Sequence, residues 1–256
     1  MFILKKTIVS AVGLFPYRFS SLLFKMMMGD RYVENILYFY NLNELAVKHK
    51  IRMIEQGFSG NYVGKIYVSG NSRTGKTLFS KRLAERLNFA YFSFDEIYPY
   101  YKNVSSGRRY KVKSIIMDLI QKVRCNMIVD GDELITNGVI INGVINKDSI
   151  DFNYISGIAR FSKFPPVIIG SSSVEIEYKA RLLANFAENE ECWTNRVRND
   201  ICYYEISKNI VENSKYYQSM ADAFGFVYYD IDCGHFIESL YFSVEDYIEK
   251  YCLDIR

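Results

Sequence analysis

Eight consecutive residues, Gly70-Asn71-Ser72-Arg73-Thr74-Gly75-Lys76-Thr77, constrain this chain more than any other stretch. They match G-x-x-x-x-G-K-[ST], a spacing that average residue usage produces by chance in roughly one chain of this length in a hundred. The context narrows it further. The apolar β-type run Ile66-Tyr67-Val68-Ser69 precedes the loop, and Phe79, Leu83 and Leu87 follow at helical i, i+4, i+8 spacing. The glycines let the backbone bend so that successive N–H groups surround a phosphate. A helix starting near Gly75 adds the positive end of its dipole. Lys76 is then expected to reach the β- and γ-phosphates, and the Thr77 hydroxyl to ligate Mg²⁺. The stretch reads as a nucleoside-triphosphate loop over Gly70–Thr77, with ATP and Mg²⁺ as cofactors.

The rest of the chain supplies a sheet for such a loop. Short apolar runs at Lys65–Ser69, Phe89–Phe94, Asn126–Asp130, Val167–Gly170 and Phe226–Ile231 alternate with helical patterns at Gly75–Leu87, Tyr110–Arg124, Val174–Phe186 and Arg198–Phe224. That alternation predicts a three-layer α/β domain over 63–256, with about five parallel strands and helices on both faces. Before it, 1–62 reads as a helical N-terminal extension, with Val33, Ile36, Leu37 and Tyr40 at helical spacing. Its first 28 residues are apolar but cut by Lys5, Lys6, Arg18 and Lys25. The longest clean run is too short to span a bilayer. The expectation is a helix packed on the main domain, with a basic amphipathic helix lying on a membrane surface as the alternative.

Composition excludes little. A formal net charge of +3 on 256 residues argues against a polybasic coat, and 49% hydrophobic with 24% charged residues argues against global disorder. Only 4 Pro against 22 Tyr and 18 Phe suggests long uninterrupted elements and a ring-packed core. The five cysteines include no C-x-x-C pair, so a reducing, cytoplasmic setting is expected. Cys233 and His235 are close in sequence, but two ligands are too few for structural zinc.

Chemistry around a triphosphate needs further charges. Asp130, closing the run Met127-Ile128-Val129, is the expected second support for the metal, with Asp132 and Glu133 as alternatives. Asp95 ends the second run. The C-termini of parallel strands share one sheet edge, so Asp95 is expected near the γ-phosphate as a general base; its other reading is a helix N-cap. Arg181, Arg196 and Arg198 flank the acidic stretch Glu188–Glu191, and an arginine there is expected to stabilise charge on a transferring phosphoryl group. The basic, Tyr-rich stretch 101–124 suits an anionic acceptor, a nucleic-acid backbone or simply solvent.

Together these pieces resemble the P-loop small-molecule kinases, the adenylate kinase-like group that includes shikimate, gluconate and polynucleotide kinases. The resemblance covers 63–256. GNSRTGKT resembles the Walker A loop, Phe92-Ser93-Phe94-Asp95-Glu96-Ile97 the acceptor-side Asp after the second strand, and Met127–Ile135 the third strand with its acidic end. Cys192-Trp193-Thr194, Asn213-Ser214-Lys215-Tyr216 and Phe226–Asp230 are similar to the tail of bacterial kinases in this group. It implies an ATP-dependent kinase acting on a small molecule, with Asp95 as base or acceptor ligand and Arg196 or Arg198 in a lid. The lid region lacks the Arg-rich signature of nucleoside monophosphate kinases, and 1–60 matches no part of the group. Two other readings stand beside it. Ser72-Arg73-Thr74-Gly75 resembles the donor loop of bacterial sulfotransferases, although Lys76 departs from it. An NTP-switched module gripping nucleic acid or a protein partner through 101–124 is the other.

Overall fold

The first strand, β1, runs Lys65–Gly70 and is buried along its whole length. Such a strand has neighbours on both edges and cover on both faces, as parallel sheets require. In a computed structural model of the chain, the residues described are 61–71, 73–95, 116–117, 120–121, 123–131, 140–141, 144–145, 163–189, 200–231 and 234–253. After β1 come α1 (Lys76–Leu87), β2 (Ala90–Ser93), β3 (Met127–Asp130), β4 (Ile140–Ile141), β5 (Val144–Ile145), β6 (Val167–Gly170), α2 (Ile176–Asn189), α3 (Asp200–Phe224), β7 (Val227–Asp230) and α4 (Phe236–Tyr251).

Five strands form one parallel sheet in the order β2-β3-β1-β6-β7, with Val68 level with Asp130 and Gly70 with Ile169. All five expected strands are present, each within a residue or so of its expected bounds. β1 is central: on one side the chain first lays the edge strand β2 and then places β3 between it and β1, and later it builds outward on the other side through β6 and β7. The loops leaving β1, β3, β6 and β7 therefore emerge at the same sheet edge.

Helices flank the sheet. Alternate residues of the strands (Ile66, Val68, Ile128, Val167 and Ile169) pack with Phe79 and Leu83 of α1 and Leu240, Val244, Tyr247 and Ile248 of α4. Each such side chain contributes about 1.5–3 kcal/mol on burial. α3 packs against β6 and β7, and α2 lies on α3 through Leu183, Tyr203 and Ile210. The result is a three-layer α/β arrangement. One element was not expected: β4 and β5 pair antiparallel, Ile140 with Ile145 and Ile141 with Val144. Asn142-Gly143 between them is a strong hairpin signal in sequence.

By contacts the chain divides into two units: Val63–Ser93 with Met127–Arg256, and Met1–Tyr62 with Phe94–Asn126. The sheet and all four helices named above belong to the first. The expected extension over 1–62 lies outside the described residues except at its last two. Among the described residues no helix is long and apolar enough to cross a membrane.

Candidate functional site

In open α/β sheets, ligands settle outside the carboxyl ends of the strands, where the strand order reverses. Here that place is the end of β1, and the loop leaving it is Gly70–Gly75. Gly70 has φ +146, and a Cβ there would overlap the Ile169 carbonyl oxygen across the β1–β6 ladder. Gly75 has φ +86 and is the N-cap of α1. The Phe236 ring, first residue of α4, packs on it so closely that a Cβ would sit 2.6 Å away. Both positions need glycine for backbone shape and for space.

Between the glycines, side chains shape the loop itself. Asn71 turns its amide down into α3, where Nδ2 donates to the Ile210 carbonyl (3.0 Å) and to Ser214 Oγ (3.2 Å). Thr74 Oγ1 donates to the Asn71 carbonyl at 2.8 Å. Arg73 is left-handed, with φ +64. Ser72 lies outside the described residues. Gly75 offers no side-chain cap to the α1 N-terminus, and the first turn of α1 carries no acidic residue. The terminal N–H groups of a helix in that state form an electropositive end.

Lys76 opens α1 and is only 4% exposed, and its Nζ lies 3.2 Å from Oδ1 of the fully buried Asp130. The other carboxylate oxygen, Oδ2, accepts a hydrogen bond from Tyr91 Oη at 2.8 Å. Oδ1 makes no well-aligned hydrogen bond, despite its ion-pair distance from Lys76. A buried carboxylate oxygen with acceptor capacity left over suits a hard cation. Thr77, next after Lys76 in the chain, is exposed. Among the described residues no three His, Cys, Asp or Glu converge on a point. A cation here would draw on Asp130, Thr77 and a ligand's own oxygens, which is the sparse donor set Mg²⁺ accepts.

The neighbouring loops are held as firmly. Asp230, ending β7, accepts from Ser172 N and Ser172 Oγ (both 2.8 Å) and Ser173 N (3.0 Å), which staples the loop after β6 to β7. A groove of about 510 Å³ opens beyond Asp230 along α4, lined in part by His235, Ser239 and Phe242.

The fold thus brings together Gly70, Asn71, Arg73, Thr74, Gly75, Lys76, Thr77 and Asp130. Asp95 follows β2 by two residues and is exposed, next to the buried Phe94. Arg181 is exposed on α2 with its guanidinium 5.8 Å from the Tyr178 ring. Arg196 and Arg198, Asp132 and Glu133, and most of 101–124 lie outside the described residues. Three contributors went unanticipated: Tyr91 on Asp130, the amide anchor of Asn71, and Lys179 of α2, whose Nζ donates to the Arg73 carbonyl oxygen. A tyrosine in a strand reads as core, and a lysine in a helix reads as surface, so neither carried a sequence signal. No protein-family model matches the chain, and a search of curated proteins returns no match.

Proposed function

We propose that the chain is an ATP-dependent kinase that moves a γ-phosphoryl group from ATP–Mg²⁺ to a hydroxyl or phosphate oxygen of a small molecule. The observation that carries this reading is the buried Lys76–Asp130 pair at 3.2 Å, formed where a glycine loop leaves the central strand of a parallel sheet. An ammonium and a carboxylate withdrawn from water are costly unless they pair well and their remaining protons and lone pairs are satisfied, which a bound phosphate and cation would do. The P-loop identity of the fold belongs to the same proposal. It draws on the G-x-x-x-x-G-K-T spacing and on the position of that loop at the end of β1.

In this reading the loop amides and the uncapped start of α1 bind the β-phosphate, and Lys76 neutralises the bridging and γ-oxygens. Thr77 and Asp130 would hold Mg²⁺, which supplies charge neutralisation on the β- and γ-phosphates. The bond from γ-phosphorus to the β,γ-bridging oxygen breaks as one to the acceptor oxygen forms, and ADP leaves. Asp95 takes the acceptor's proton, and Arg196 or Arg198 offsets charge on the equatorial oxygens. Tyr91 keeps the Asp130 carboxylate from rotating. The groove beyond Asp230 lies within the size range of small-ligand sites. A cytoplasmic setting, drawn from the cysteine usage, and a small, anionic acceptor as the partner belong to the same proposal.

The test is nucleotide binding and turnover in wild type, Lys76→Ala and Thr77→Ala. Wild type should gain thermal stability with ATP–Mg²⁺ and none with 3′-phosphoadenylyl sulfate. Lys76→Ala should abolish ATP turnover with the fold retained, and Thr77→Ala should weaken the Mg²⁺ dependence. Full turnover in Lys76→Ala removes the proposal, and stabilisation by the sulfate donor alone replaces it with the sulfotransferase reading.

A further inference from the structure

Behind the glycine loop lies a buried lysine to which the phosphate chemistry above assigns no role. Lys179, the fourth residue of α2, is 3% exposed. Its Nζ donates to the Arg73 carbonyl oxygen at 2.9 Å and reaches Ser171 Oγ at 3.4 Å. An ammonium removed from water is unfavourable unless its protons are taken up, so this placement is specific. Its partner is specific as well. Arg73 has φ +64, a conformation that residues with a Cβ adopt reluctantly and keep only when their surroundings impose it.

The consequence follows from peptide planarity. The Arg73 carbonyl and the Thr74 N–H belong to one trans peptide unit and point in opposite directions. With the carbonyl fixed on Lys179, the Thr74 N–H is turned away from α2. The brace continues beyond Lys179. Ser171 N donates to Ser214 Oγ at 3.0 Å, and the same oxygen accepts from Asn71 Nδ2. Asn71 and Arg73, two of the four residues between the glycines, are thus tied to α2 and α3 by side-chain hydrogen bonds.

We infer that Lys179 is a positioning residue, which holds the Arg73–Thr74 peptide so that its N–H faces the bound anion. This rests on the loop being a phosphate cradle, so the experiment separates the two. Lys179→Met keeps length and volume but removes charge and donors, Lys179→Gln keeps a donor without charge, and Lys179→Arg keeps both. The first measurement is amide hydrogen exchange without nucleotide. Lys179→Met should speed exchange at Thr74, Gly75 and Lys76 by about tenfold or more, with β1, β3 and β6 within about twofold of wild type. The second is ATP–Mg²⁺ affinity, which should fall on the order of tenfold in Lys179→Met and recover largely in Lys179→Arg.

Unchanged exchange at 74–76, or exchange that rises equally across the sheet, overturns the inference and leaves Lys179 a filler of its pocket. A loosened loop in a protein that never binds ATP–Mg²⁺ upholds the brace and removes the phosphate reading instead. If Lys179→Met does not fold, the exchange comparison is made with Lys179→Ala, which also lacks the donor, and equal rates with wild type at 74–76 overturn it.

Discussion

At the scale of single residues, the Tyr91–Asp130–Lys76 chain decides how the carboxylate behaves. Asp130 is fully buried, with one oxygen held by Tyr91 and the other facing Lys76. Removing the phenol leaves a buried charged oxygen without its donor, which costs about 1–3 kcal/mol. Tyr91→Phe should therefore lower the unfolding free energy by that amount, read as a lower urea midpoint at unchanged slope, while the far-ultraviolet spectrum is retained. Under the kinase reading it should also raise the Mg²⁺ concentration needed for half-maximal turnover, since the carboxylate is free to turn. An unchanged midpoint would mean that the Tyr91 bond contributes nothing in solution.

At the scale of elements, the contact between Gly75 and α4 joins the candidate site to the core. The Phe236 ring rests on Gly75, and α4 continues into the cluster of Leu240, Val244, Tyr247 and Ile248 packed on the sheet. Alanine at 75 meets two obstacles, a left-handed φ of +86 and a Cβ 2.6 Å from the ring. Each carries a cost of about 1–3 kcal/mol. Gly75→Ala should lower the melting temperature markedly, and the same substitution made in a Phe236→Ala background should lower it less, by the backbone part alone. No loss in that background would show that φ is not strained. This contact was not legible beforehand. The glycine spacing marked Gly75 as a loop residue, but no periodicity links residue 75 to residue 236.

At the scale of the whole molecule, the ring surplus has a titration consequence. Burial pushes the Tyr228 hydroxyl up to about 12, with Ser172 pulling it back in part. Burial also raises Tyr229, aided by its bond to Asp246 (2.7 Å), and holds Tyr247 well above the usual range. These groups keep their protons in the folded chain after they would lose them unfolded. Their contribution is complete below pH 10 and is lost as pH rises through 10 towards 12. Stability should fall over that window, and Tyr228→Phe should shallow the fall, measured by urea unfolding at pH 9, 10 and 11. Equal slopes for both proteins would mean that Tyr228 titrates alike folded and unfolded. Acid behaves oppositely at Asp246, which the Lys250 hydrogen bond lowers, so its contribution is present above the ordinary carboxylate value and lost below it.

The sequence by itself determined the alternation of strands and helices, because hydrophobic period and Gly punctuation are local properties. Val167–Gly170 is bounded by its own residues, and Gly70–Thr77 carries its spacing within eight positions. The hairpin at Ile140–Ile145 was equally local in its Asn-Gly signal, yet its strands are too short for periodicity to register. Only the tertiary structure decided the order β2-β3-β1-β6-β7, which depends on which strand edges meet after chain closure. It alone set Tyr91 on Asp130, Asn71 on Ser214 and Lys179 on Arg73, at separations of 39, 143 and 106 residues. A polar side chain in an element interior carries no mark of its distant partner. What it contacts is fixed by how helices and strands pack, and packing is a property of the whole chain.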